Sequence, residues 1–125
     1  MKTVNTKKAP DAIGPYSQAV IHNGLVYTSG QIPIDPQTGN LHGTDIETQT
    51  EQVMNNLSHV LKACGSDLSQ VIKTTCFIRD MNDFAKFNEV YSRYITQKPA
   101  RSCVAVKELP KQALVEVEVV AKETE

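Results

Sequence analysis

The chain has 125 residues, 13 lysines and arginines against 14 aspartates and glutamates, and 40% hydrophobic residues, enough for one domain spanning 1–125 to bury a core without metal or disulfides. Its net charge of −1, with no basic stripe or polybasic run, argues against nucleic acid or a membrane surface as partner. Met1–Asn5 lacks the apolar run of a secretory signal, no stretch reaches transmembrane length, and Cys64, Cys76 and Cys103 are widely spaced, so reduced thiols in a cytoplasmic setting are expected.

Tyr16–His22 and Leu25–Gln31 read as two strands of a hairpin, joined by Asn23-Gly24, a dipeptide suited to a tight turn. The prolines and glycine of Ile32–Asn40 predict an irregular loop. Thr44 and Glu47 have the spacing of a capping box that opens a helix. Ile46, Val53, Met54, Leu57, Val60, Leu61 and Cys64 then recur as one buried helical face, and Gly65 supplies a C-terminal stop. Asp67–Gln70 reads as a turn into a β-branched strand, Val71–Ile78. A second helix begins around Asp80–Asp83 and ends before Pro99, with Phe84, Phe87, Tyr91, Tyr94 and Ile95 facing inward and Asn88 on the same face.

Two further strands follow, Lys98–Val106 and Leu114–Val120. The order of elements predicts an α+β fold with two layers, both helices on one face of a mixed, ferredoxin-like sheet. Period-2 alternation groups Ser102, Val104 and Val106 apart from Arg101, Cys103 and Ala105, and Val115, Val117 and Val119 apart from Glu116 and Glu118. If the valines share one core, the opposite face carries Arg101, Cys103, Ala105, Glu116, Glu118 and Val120. An arginine clamps a carboxylate with two parallel bonds, and a nearby glutamate can move protons. That combination predicts a pocket for a small anionic molecule, and self-association, with a symmetric ring as one solution, would cover the face. The alternation does not distinguish Glu116 from Glu118.

Four ordered blocks and a closing segment carry a resemblance to a known family. They are Ile13-Gly14-Pro15-Tyr16-Ser17-Gln18-Ala19, Thr28-Ser29-Gly30-Gln31-Ile32-Pro33, Asn82-Asp83-Phe84-Ala85-Lys86-Phe87-Asn88, and Pro99-Ala100-Arg101-Ser102-Cys103-Val104, closed by Val115-Glu116-Val117-Glu118. Over nearly its whole length the chain resembles the RidA/YjgF/YER057c/UK114 family, within it the reactive-intermediate deaminases. The resemblance implies a chorismate-mutase-like fold, a homotrimer with clefts between subunits, and cofactor-free hydrolysis of 2-imino acids. Its substrates would be 2-iminopropanoate, tautomeric with 2-aminoacrylate, and 2-iminobutanoate, intermediates released by pyridoxal-phosphate enzymes that they can damage. The family's functional positions fall on Tyr16, Ser29, Asn88, Arg101, Cys103 and Glu116. The resemblance alone selects Glu116 over Glu118.

On that basis Arg101 holds the substrate carboxylate and Glu116 handles the attacking water, while Tyr16, Ser29 and Asn88 line the pocket. Cys103 is expected to contribute its backbone N–H more than its sulfur, since no histidine base stands near it in sequence. His22, His42 and His59 have no ligand-like spacing, and no metal is expected. A metabolite-binding regulatory module using the same pocket is the alternative. Ribonuclease activity is disfavoured by the neutral charge and the lack of paired histidines.

Overall fold

The computed structural model describes residues 1–124. Six strands, β1 (Lys2–Val4), β2 (Ala19–His22), β3 (Leu25–Thr28), β4 (Val71–Ile78), β5 (Ala100–Ala105) and β6 (Val115–Lys122), form a mixed sheet in the order β1-β2-β3-β6-β4-β5. All neighbours are antiparallel except β4 and β5. Helices α1 (Ile46–Ala63) and α2 (Phe84–Tyr94) pack together on one face, giving the expected α+β layers.

Local chemistry accounts for most boundaries. The β2–β3 hairpin turns at Asn23 and Gly24, both left-handed at φ 53° and 79°, as such a turn requires. Both strands are shorter than the sequence suggests, although Gln31 still bridges Val117 on β6. Helix α1 is capped by Asp45, whose carboxylate accepts from the Thr48 amide at 3.2 Å, not by Thr44. Gly65, at φ 70°, ends the helix, with its amide donating to Lys62 and the next amide, Ser66, reaching Leu61. A short 3-10 turn, Met81–Asp83, precedes α2.

Val53, Met54, Leu57, Val60 and Leu61 of α1 bury against Val26 of β3 and Val115, Val117, Val119 and Ala121 of β6. From β4, Thr74, Cys76 and Ile78 join this core, and Phe87 and Tyr91 come from α2. The valine face of β6 is therefore the core face, as the alternation predicts.

The face assigned to β5 requires correction. β5 runs parallel to β4 in a register that sets Thr74 beside Arg101 and Cys76 beside Cys103. Neighbours in register point the same way, so Arg101 and Cys103 face the helix layer. Ser102 and Val104 take the other face, in line with Glu118 and Glu116 through Thr75 and Phe77. The alternation misleads here because β5 is an edge strand: its valine is 47% exposed, and its arginine covers the aromatic rings of α2. Arg101 and Glu116 thus lie on opposite faces of one sheet.

Candidate functional site

The expected site residues separate into two groups. The first sits on the helix side at the β5 edge. Arg101 is partly buried, and its guanidinium lies 5.5 Å from the Phe84 ring centroid and 5.1 Å from that of Tyr91. Its Nη1 donates to Asn88 Oδ1 at 2.6 Å. Phe84, Asn88 and Tyr91 follow at helical spacing, which brings all three to the α2 face that meets β5. Tyr91 is braced in turn by a 2.8 Å hydrogen bond between its hydroxyl and that of buried Thr74.

Among the described residues, Arg101 has no carboxylate partner; the ion pairs are Lys7–Asp11 and Arg93–Glu89. Rings hold the flat of the guanidinium and an amide takes one nitrogen, an arrangement that fits presentation of the remaining donors to an anion. The depression beside it measures about 330 Å³ and is lined by Asn88, Tyr91, Ser92, Ile95, Lys98, Pro99 and Arg101. Cys103 lies on the same face of β5 beside buried Cys76. Burial raises the Cys103 thiol, against a smaller opposing effect of Arg101, and pushes Cys76 up to about 12. Neither sulfur is disposed to be a thiolate at neutral pH.

The second group sits on the outer face. Glu116 is partly buried, between Phe77 of β4 and the Ser29–Gly30 segment. Burial, reinforced by the Glu118 charge, holds its carboxyl above the ordinary glutamate range. Ser29 donates its hydroxyl to the Ser17 carbonyl at 2.6 Å, which ties the two signature segments together. Tyr16, 52% exposed, lines a depression with Ser17, Thr28 and Ser29.

The sequence pattern alone gives Gly30 no partner; in the structure the Glu116 side chain approaches it. That pattern also misses Gln18, which is buried and holds the loop before Tyr16. Gln18 Nε2 donates to the carbonyls of Thr6 and Pro10, and its Oε1 accepts from the Thr6 amide. The sequence sets Phe84 and Tyr91 on one helical face with Asn88; the structure adds that Arg101 lies over it.

A family model described as Endoribonuclease L-PSP matches residues 6–123. The chain belongs to this family, the RidA/YjgF family. Its relatives carry different functional names. A Lactococcus lactis protein with a provisional regulatory name, AldR, is 54% identical over 98% of both chains. Reactive Intermediate Deaminase A of the Arabidopsis thaliana chloroplast is 46% identical over 96% of this chain and 65% of its own length. Among solved structures, Escherichia coli TdcF with bound serine superposes with a TM-score of 0.94 at 41% identity, covering 99% of this chain and 100% of TdcF. In this RidA/YjgF member, Arg101 and Glu116 stand on opposite sides of the sheet.

Proposed function

We propose that the protein hydrolyses small 2-imino acids, such as 2-iminopropanoate and 2-iminobutanoate, to 2-keto acids and ammonia, without a cofactor. The observation that carries this reading is Arg101: a partly buried guanidinium, held by Phe84, Tyr91 and Asn88, with no carboxylate of its own among the described residues. A partly buried cation without a counter-charge leaves that role open to a ligand. The relative named as a reactive intermediate deaminase supports the same chemistry.

The opposite placement of Arg101 and Glu116 favours a site completed by a second copy, with the β5 edge of one subunit meeting the outer face of another. A homotrimeric ring is the assembly we propose. Arg101 and the Cys103 backbone N–H hold the carboxylate. Glu116 takes a proton from water as its oxygen adds to the C=N carbon, forming a carbinolamine. With the imine nitrogen protonated at the outset, the same carboxyl returns its proton to nitrogen and then takes the hydroxyl proton as the C–N bond breaks, releasing ammonia and leaving the keto group. A carboxyl raised above its usual range suits both steps. Tyr16 and Ser29 belong to the outer-face half and bind substrate or water there. Three free cysteines suit a reducing cytoplasm.

A regulatory binding module remains the second reading, favoured by the AldR name and by the serine bound to TdcF. Both readings are tested by coupling the purified protein to a threonine dehydratase and following keto-acid release while a scavenger competes for the imine. Acceleration that disappears in Arg101→Ala and Glu116→Ala supports the hydrolase. Retained keto-acid binding by Glu116→Ala, with no acceleration by the parent protein, supports the binding module.

A further inference from the structure

We infer that Gly30 is a positioning residue for Glu116: by lacking a side chain, it leaves the space in which the Glu116 carboxyl rests against the sheet. This rests on the reading of Glu116 as the acid–base group, but its first test does not. A Cβ built at Gly30 would stand 2.5 Å from Glu116 Oε2, 2.7 Å from Cδ and 2.9 Å from Cγ. Because Cγ clashes as well as the carboxylate, moving the tip of the side chain cannot relieve the overlap. The whole chain would have to leave by rotation about its first bond.

Backbone conformation does not require a glycine here, since Gly30 is absent from the positive-φ residues. Nor can the backbone readily retreat. The Ser29 amide donates to Gln18 O at 2.9 Å on one side. On the other, Gln31 and Val117 exchange hydrogen bonds of 2.9 and 3.2 Å. The missing methyl thus fixes where the carboxyl sits and how far it is withdrawn from water.

Within one chain, the charged and titratable surroundings of Glu116 are few. Glu118 stands two residues along β6; on β4 Phe77 lies directly opposite, Thr75 opposite Glu118 and Lys73 opposite Val120; Ser29 and Gly30 are uncharged. Expelling the side chain toward solvent reduces its desolvation, so its titration midpoint falls toward that of a free glutamate.

The first test is a double-mutant cycle on urea midpoints with Gly30→Ala and Glu116→Ala. Gly30→Ala should lower the midpoint in the parent chain and have clearly less effect once Glu116→Ala has emptied the space. Failure to fold in the parent background alone counts as the same result. Equal effects in both backgrounds would overturn the inference. The second test follows the Glu116 carboxyl by carbon-13 NMR, assigned with Glu116→Gln, in parent, Gly30→Ala and Gly30→Ser proteins. A lowered midpoint is expected, with kcat down about 100-fold and binding of 2-oxobutanoate nearly unchanged. A midpoint that stays put sinks the inference even if Glu116→Gln abolishes activity. A midpoint that falls while kcat holds keeps Gly30 as the positioning residue and removes Glu116 from the chemistry.

Discussion

If Arg101 and Glu116 act in one site, they must come from different copies, and subunit mixing can detect this. Within a chain they occupy β5 and β6, which flank β4, so about 10 Å of sheet separates them laterally, and they project from opposite faces. Arg101→Ala should remove two charge-assisted bonds to the carboxylate, a loss of about 3 kcal/mol or more, and Glu116→Ala the proton transfer, about 100-fold or more. Each variant alone should therefore retain about 1% of activity or less. When the two are mixed in equal amounts in urea and refolded together, each junction draws its arginine half and its glutamate half independently. The chance that both are intact is one half for each, so about a quarter of the parent activity should return, whatever the number of subunits in the closed ring. The imine-hydrolysis assay reads the recovery directly. In the reverse mixture, the parent with the double variant, activity should fall to about a quarter rather than a half by the same counting. Recovery no greater than the two variants assayed separately, with native mass spectrometry showing that mixed assemblies have formed, would refute the shared-site argument.

Folding stability should report the Glu116 environment. Its carboxyl binds a proton more tightly in the folded state than in the unfolded one, so its contribution to stability declines as pH rises through the interval from the ordinary glutamate value to the raised one. Glu116→Gln should remove that slope in urea titrations across the interval, and an unchanged slope would contradict it. Asn56 is buried on α1 and donates to the carbonyls of Ile32 and Ile34 at 3.3 and 3.0 Å; Asn56→Leu should destabilise by about 1–3 kcal/mol in denaturant melts by leaving them unpaired. Tyr91→Leu removes one of the two rings under the guanidinium, so 2-oxobutanoate affinity measured by calorimetry should weaken by about 2- to 30-fold, the equivalent of 0.5–2 kcal/mol.

What the chain declares locally, the fold keeps. The Asn23-Gly24 turn, the apolar face of α1, the valine alternation of β6 and the aromatic face of α2 each follow from spacing alone, because each is decided within a few residues. Thr44 and Asp45 are both good caps one residue apart, and only the backbone path selects the aspartate. β1 is three residues long and takes its strand state from pairing with β2, which no local pattern signals. The face of β5 failed for a deeper reason. Alternation says which residues share a side, not which side is the core, and an edge strand with one valine and one arginine satisfies either choice. The parallel register with β4 decides it, and that is a long-range contact. The residues of the proposed site can be named from the sequence, but not the faces on which they stand.

A site split as proposed would give substrate binding a built-in electrical consequence. In an assembled, empty junction the free Arg101 charge would lie near Glu116 and favour its ionised form. A bound carboxylate neutralises that guanidinium, removes the stabilisation and displaces water, and both changes strengthen the hold of Glu116 on a proton. A 2-keto acid should therefore bind with net proton uptake at a pH near the Glu116 midpoint. The enthalpy measured by calorimetry will then vary with the ionisation enthalpy of the buffer. In Glu116→Gln the same ligand should bind through Arg101 with no such dependence, since the group that would take the proton is gone. Proton release, or uptake that persists in Glu116→Gln, would mean that the two halves are not electrically in contact and that the junction joins other surfaces.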